Sequence, residues 1–230
     1  MIVSTSTKPS SQDTQALQEV WSRLNPHSCP HEYNFHMHTI CSDGQLTPEQ
    51  LITQATQIGL KGLAITDHHS VEGYQIAQQW LEKTSLQQPK ESLPHLWTGI
   101  EITSRLLDIE VHILGYGFNP QHRVIEPYLW GESPQGTQAL ASQVIYAIHQ
   151  AGGMAVLAHP ERYPYSATKV IPAAADLGID GVEAFYAYNN PKPWKTSPRQ
   201  TETVLNLSFL YGLYHTCGTD THGVNLLQRI

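Results

Sequence analysis

The feature that most constrains this chain is a coupled repeat. From residue 33 onward, apolar runs of strand length alternate with helical patterns, and nearly every run carries a histidine or carboxylate at or near its C-terminal end. Strand-length runs alternating with helical spacing point to successive β-α units around a parallel sheet. Seven strands are expected, at 33–38, 62–66, 95–101, 110–118, 154–158, 181–186 and 214–218. Helical patterns fall near 48–59, 71–83, 136–151, 167–177 and 198–212, and 119–135 and 187–198 read as loops rich in Pro, Gly and Asn. The first of these helices has a strong start signal: Thr47 can cap, Pro48 suits the first turn, and Gly59 ends it.

The polar residues at the strand ends form a pattern of their own. The first strand supplies His36 and His38, whose spacing of two puts both rings on one face of an extended chain, and Asp43 follows in a Ser-Asp-Gly turn. The second ends in Asp67-His68, the third in Glu101, the fourth carries His112, and the fifth ends in His159. The seventh runs into Asp220-Thr221-His222, repeating the spacing of two, and only the sixth lacks such a residue at its end. Parallel α/β barrels place their active sites at this edge. Mixed imidazole and carboxylate donors suit zinc, manganese or iron better than calcium or magnesium. With Asp67 set aside, nine such donors remain, more than one ion needs. Histidine numbers 13, as many as Lys and Arg together, so the excess has a use.

The segments HMHTICSDG, AITDHH, GIEIT, VHILGYGF, LAHPERY and GTDTHG resemble the successive motifs of the PHP (polymerase and histidinol phosphatase) family, over residues 33–223. The resemblance implies an α/β fold, a distorted (β/α)7 barrel of TIM-barrel type, which agrees with the seven strands read independently. It also implies a centre of three divalent ions, Mn, Zn or Fe. By the same resemblance His36, His38, Glu101 and Asp220 hold one ion, Glu101 bridges to a second held by His112 and His159, and Asp43, His68 and His222 hold a third. Asp43, His68, Glu101 and Asp220 are then also the catalytic members of the set. Ions a few ångströms apart activate a shared water against a phosphoester.

Within the family, HTxxSDGxLTPExL, the GxEI/HILG pair and AHPxRY resemble the nucleoside 3',5'-bisphosphate phosphatase and RNase AM-like group. The expected activity is therefore hydrolysis of a phosphate monoester on a small phosphorylated metabolite, a nucleoside 3',5'-bisphosphate being favoured. The alternatives are a 5'-to-3' exonuclease on short RNA or single-stranded DNA, a histidinol-phosphatase-like enzyme, and a structural metal-binding module. No ligand is missing, which argues against the module. One departure bears on substrate choice: that group carries an inserted helical domain between the positions of His112 and His159, and only 46 residues separate them here.

Other residues allow two readings each. Arg162, three residues after His159, can clamp a non-reacting phosphate bidentately or form a surface ion pair with Glu161 or another carboxylate. Lys169, Lys192, Lys195 and Arg199 are weaker candidates for the same task. Asp67 is expected to orient a ligand or backbone rather than bind metal, and His69 to lie at the pocket or simply pack. Glu183, in an apolar strand, needs a partner, Arg162 or the mouth of the barrel. Tyr186, Tyr188 and Trp194 can stack a base or pack. The histidines at 27, 31, 95, 122, 149 and 215 are read as structural.

A chain of 230 residues suits one sizeable core. Residues 1–30 read as an N-terminal arm with a disordered start, a short helix over 13–24 and a linker, and 31–230 as the catalytic domain. The arm is expected to cap the barrel, or to supply an element missing after His222. The three cysteines form no CxxC pair, so neither a disulfide framework nor a thiolate site is signalled. A net charge of -7 argues against duplex nucleic acid as a partner and leaves a small anion or a strand end. No apolar run approaches the roughly 18 residues of a membrane span, and no secretory signal is read at the start. A cytoplasmic, soluble protein is expected; oligomeric state is open.

Overall fold

The computed structural model describes residues 9–89 and 92–230, and its elements begin and end where local chemistry allows. Helix α1, Thr14–Trp21, starts at Asp13, whose carboxylate accepts from the Ala16 amide. After β1, Tyr33–Asn34, comes α2, Pro48–Ile58, with a reciprocal capping box between Thr47 and Gln50 and a left-handed Gly59 at its end. Then follow β2 (Gly62–Ala64), α3 (Glu72–Gln87), β3 (His95–Trp97), β4 (Gly99–Leu106) and β5 (Ile109–Tyr116). The second half alternates strictly: α4 (Ala141–Gln150), β6 (Met154–Leu157), α5 (Ala167–Asp176), β7 (Gly181–Phe185), α6 (Pro198–Tyr211) and β8 (Tyr214–Cys217).

Regular pairing gives two sheets, β1-β2-β3, all parallel, and β4-β5-β6-β7-β8, in which β5 runs antiparallel to both neighbours. Single contacts join their edges. On one side Phe35 donates to Cys217, Asp220 to His36 and His38 to Thr221, at 2.8–3.0 Å. On the other, Glu101 donates to Asp67 and His69 to Glu101. Because β3 and β4 are the lower and upper parts of one stave, the ring has seven staves, and the fold is a distorted (β/α)7 barrel.

Two strand expectations need correction. The strand expected at 95–101 is broken at Thr98, whose amide turns away to the carbonyl of Ser11; β3 pairs with β2 and β4 with β5. The fourth strand is antiparallel rather than parallel. Its link to β4 is only Leu107-Asp108, both with positive φ (52° and 63°), a tight hairpin, whereas a parallel return needs a crossover of a dozen or more residues. The helix expected at 136–151 begins only at Ala141.

The inside of the barrel is apolar below the mouth. Phe35, Ala64, Trp97, Leu114, Tyr116, Val156, Phe185 and Cys217 form one buried cluster, and α1 adds Leu17 and Trp21 to it. The Trp21 ring lies 5.3 Å from Tyr116 and 6.1 Å from Tyr214, centroid to centroid. Tyr214 starts β8 and Tyr116 ends the reversed β5, so the arm closes the barrel floor, opposite the strand ends that carry the histidines. A larger cluster fills the space between staves and outer helices. Among the described residues no helix is long and apolar enough to cross a membrane.

Candidate metal centre

The nine expected ligands converge at the open end of the barrel around Glu101. This carboxylate ends the stretch of β4 that continues the broken stave, and it is 1% exposed. Its Oε2 lies 3.0 Å from His36 Nε2, 3.1 Å from His38 Nε2 and 3.6 Å from His68 Nε2. Its Oε1 lies 2.8 Å from His112 Nδ1 and 3.4 Å from His159 Nε2. Asp220 faces the same pair from the opposite wall, Oδ1 being 3.4 Å from His36 Nε2 and 3.2 Å from His38 Nε2. Asp43 and His222 form the outer edge, 3.2 Å apart, with His68 at 3.9 Å.

Three sets within this cluster have donor atoms close enough to share an ion: His36-His38-Glu101-Asp220, His38-Asp43-His68-His222, and His68-Glu101-His112. The first is the set expected for one ion. The second adds His38 to the expected Asp43, His68 and His222. The third pairs His112 with His68, while His159 stands beside Glu101 outside all three sets. His112 reaches the mouth by a different route from the others. It lies mid-strand on β5, opposite Thr103, and faces the opening because that stave is reversed.

The buried atoms fit divalent cations better than hydrogen bonds. Both ring nitrogens of His38 are fully buried, and neither meets hydrogen-bond geometry with any described residue; Nδ1 of His159 is in the same position. Leaving such groups unpaired is costly unless something else binds them. Local conformation is given up for this arrangement: Asp220 (φ 52°) and His159 (φ 26°) are left-handed without being glycine, a cost on the order of 1–3 kcal/mol each. Gly218 is required nearby, since a Cβ there would meet the Cβ of His36 at 2.2 Å.

Charge is arranged accordingly. Burial disfavours ionised Glu101, yet the His36 and His112 imidazoles outweigh it and hold the carboxyl well below its usual range. Asp220 is likewise lowered against burial by His36 and His38. Burial opposes a charge on His38, but Asp220 and Glu101 raise it to about 9, and His36 is raised by Glu101 and Glu183. His68 goes the other way, to about 4, mainly through burial. Imidazoles drawn toward protonation by shared carboxylates are those whose proton a divalent cation displaces on binding.

The supporting residues are only partly those the sequence suggests. Glu183, fully buried in β7, does not pair with Arg162. It lies 3.0 Å from His36 Nδ1 through Oε1, and its Oε2 accepts from the His159 amide at 2.9 Å, so it fixes one imidazole and the backbone of another. Asp67 touches no ligand ring at hydrogen-bond distance. It accepts from the Thr39 amide and hydroxyl and from the Ser42 hydroxyl, at 2.6–2.8 Å, and so shapes the turn that presents Asp43. His69 stays outside the cluster, its Nε2 3.1 Å from the Thr103 hydroxyl.

Arg162 sits at the mouth, Nη1 3.0 Å from Asp220 Oδ2, and makes no ion pair with Glu161. Two further donors on that oxygen escape sequence reading: the Tyr186 hydroxyl at 2.7 Å and Arg229 Nε at 2.7 Å. No local signal marks Arg229. It reaches Asp220 because the chain after His222 doubles back, His222 donating to the Arg229 carbonyl at 2.7 Å. Lys169 lies over the Tyr165 ring, 3.4 Å from its centroid; nothing places Lys192, Lys195 or Arg199 at the cluster. Trp194 is buried in the inner core.

Comparison with known proteins agrees with this geometry. A family profile for the PHP domain matches residues 34–128. The chain is 23% identical to the 5'-3' exoribonuclease Rnm of Salmonella typhimurium, over 83% of this chain and 85% of that one. That alignment runs over 261 positions, so within it the relative carries residues this chain lacks. A structure from Bifidobacterium adolescentis described as a metal-dependent phosphoesterase superposes with TM-score 0.68 at 24% identity, covering 84% of this chain and 88% of the other. An amidohydrolase from Chromobacterium violaceum, with bound sulfate and no metal, gives 0.66 at 20% identity with the same coverage. The seven staves and the histidine and carboxylate mouth thus resemble those of the metal-dependent phosphoesterases, and residues 34–128 match the PHP domain.

Proposed function

We propose that the chain hydrolyses a phosphate monoester on a small phosphorylated metabolite, a nucleoside 3',5'-bisphosphate being the favoured substrate, at a centre of three divalent ions of Mn, Zn or Fe held by the nine ligands. The observation that carries this reading is the convergence of five imidazoles on the two oxygens of one buried carboxylate, Glu101, with Asp220 opposite. When bound, such ions lower the pKa of a shared water and offset the charge of the phosphoester it attacks.

The chain's own residues supply the rest. His36, His38, Glu101 and Asp220 are 0–1% exposed, whereas the side chains of His68, His112 and His222 are 21–24% exposed and that of Asp43 is 54% exposed. This gradient gives the direction of approach: the phosphate enters past Asp43 and His222 and stops at Glu101. Glu183 and Asp67 hold the inner ligands and the Asp43 turn in place, so little reorganisation is needed when substrate arrives. Arg162 orients the phosphate at the rim, where its side chain is 40% exposed.

A second reading, 5'-to-3' removal of nucleotides from short RNA, is favoured by the likeness to the Rnm exoribonuclease over most of both chains. One assay separates them. Purified protein with manganese is given adenosine 3',5'-bisphosphate and, separately, a 5'-phosphorylated oligoribonucleotide, and free phosphate and mononucleotides are followed. Phosphate from the bisphosphate is expected. Mononucleotide release alone replaces the first reading by the second, and cleavage of neither overturns both.

A further inference from the structure

All three cysteines are free thiols, and two of them meet at the barrel floor. Cys29 lies in the linker after α1 and Cys217 ends β8, so no sequence spacing marks the pair. Both are buried, 3% and 0% exposed, in the inner apolar cluster. The backbone brings them to one residue, Tyr33. Its amide donates to the carbonyl of Ser28, the neighbour of Cys29, at 3.0 Å, and its carbonyl lies 4.0 Å from Cys217 Sγ. The Phe35 amide, donating to the Cys217 carbonyl at 3.0 Å, fixes that register. The Cys29 thiol completes the contact by hydrogen-bonding to the Cys217 sulfur. Burial and this bond keep it protonated, hence slow to react while the arm is seated.

A second feature gives a way in. A cavity of about 460 Å³ runs between α1 and the feet of β1, β2 and β3, lined by Val20, Leu24, Ser28, Glu32, Tyr33 and Trp97, among others. It touches Ser28 and Tyr33, the residues that frame the two thiols, and it is wide enough for a small oxidant. We propose that Cys29 and Cys217 are a redox-modifiable pair, which a peroxide closes to a disulfide that clamps the N-terminal arm to β8. The proposal is independent of the phosphoesterase reading. Cys29, on the arm beside the cavity, reacts first: its sulfur attacks a peroxide oxygen, the O–O bond breaks, and the thiol proton leaves with hydroxide as water. Cys217 then attacks the sulfenic sulfur; the S–S bond forms, the S–O bond breaks, and a second water leaves with the Cys217 proton. Two thiols lose two electrons and the peroxide gains them. Because β8 runs on through Gly218 and Thr219 into Asp220, the clamp ties the arm to a stave that carries a proposed ligand.

The test uses the full chain. Reduced protein is treated with hydrogen peroxide, remaining thiols are alkylated in denaturant, and proteolytic peptides are read by mass spectrometry. A peptide joining Cys29 to Cys217 is expected, with Cys41 outside it, and dithiothreitol should reverse the link. The closed loop takes in almost the whole barrel, so the oxidised protein should melt about 5–15 °C higher than the reduced one. Cys29→Ala should lose the joined peptide and the rise in Tm together. If that variant folds poorly, Cys41→Ser, which leaves the pair intact, should keep both. Free Cys29 and Cys217 after peroxide, a link made through Cys41 instead, or a Cys29–Cys217 link that leaves Tm unchanged or lower each overturn the proposal.

Discussion

Glu183 shows how much of a candidate metal centre depends on residues outside the proposed ligand set. Its two oxygens are divided between the His36 ring and the His159 amide, and it is fully buried. With Nδ1 of His36 tied to this carboxylate, Nε2 is the nitrogen presented to Glu101 and Asp220. Replacing Glu183 by Gln keeps the shape and removes the charge and one acceptor. Metal affinity should fall about 10- to 100-fold, the usual cost of losing a partner of a metal-bound imidazole. Competition with a chromogenic chelator reads this directly, and affinity within twofold of wild type would show that His36 needs no such anchor. The same residue illustrates what sequence can say: an acidic side chain in GVEAF must have a partner, but which partner depends on a strand 147 positions away.

At the scale of elements, the reversed β5 is the departure from a regular barrel, and it has a local cause. Leu107 and Asp108 turn the chain within two residues, both left-handed, a conformation that costs an L-residue roughly 1–2 kcal/mol. Asn-Gly is the pair best suited to such a turn. Changing Leu107-Asp108 to Asn-Gly should therefore raise stability by about 1 kcal/mol, seen as a higher urea midpoint with an unchanged slope. A lower midpoint would mean that Leu107 packing outweighs backbone strain. The reversal also explains why His112 works from the middle of a strand. On a parallel stave the opening lies at the C-terminal end; on β5 it lies toward the N-terminal half, and His112 is the fourth residue there.

At the scale of the whole molecule, the barrel is held shut by contrasting ends. The floor is an apolar plug, with Leu17 and Trp21 of α1 fully buried against the inner cluster. The mouth is a ring of ionisable groups, among them buried imidazole nitrogens with no hydrogen-bond partner. An end of this kind gains most from a ligand present only in the folded state. At manganese concentrations about 100-fold above Kd, mass action adds about 2.7 kcal/mol, a rise in Tm of about 5–10 °C for a chain of this size. Thermal melts with manganese, zinc and iron, against melts in chelator, check it. A Tm indifferent to all three metals would contradict a metal-loaded mouth.

The donor inventory and the order of elements were legible in the sequence because both rest on short-range rules. A spacing of two sets His36 and His38, and Asp220 and His222, on one side of an extended segment, and alternating strand and helix patterns mark the staves. The grouping of donors by ion came from family resemblance rather than spacing, and in the structure His38 stands with two of the groups. Tertiary structure alone decided the break at Thr98, the partners of Glu183 and Asp67, and the place of Arg229 beside Asp220. Each of these is a contact between segments whose meeting depends on how loops close and staves register. Local propensity cannot encode that, because the free energy of such a contact exists only after the barrel has closed.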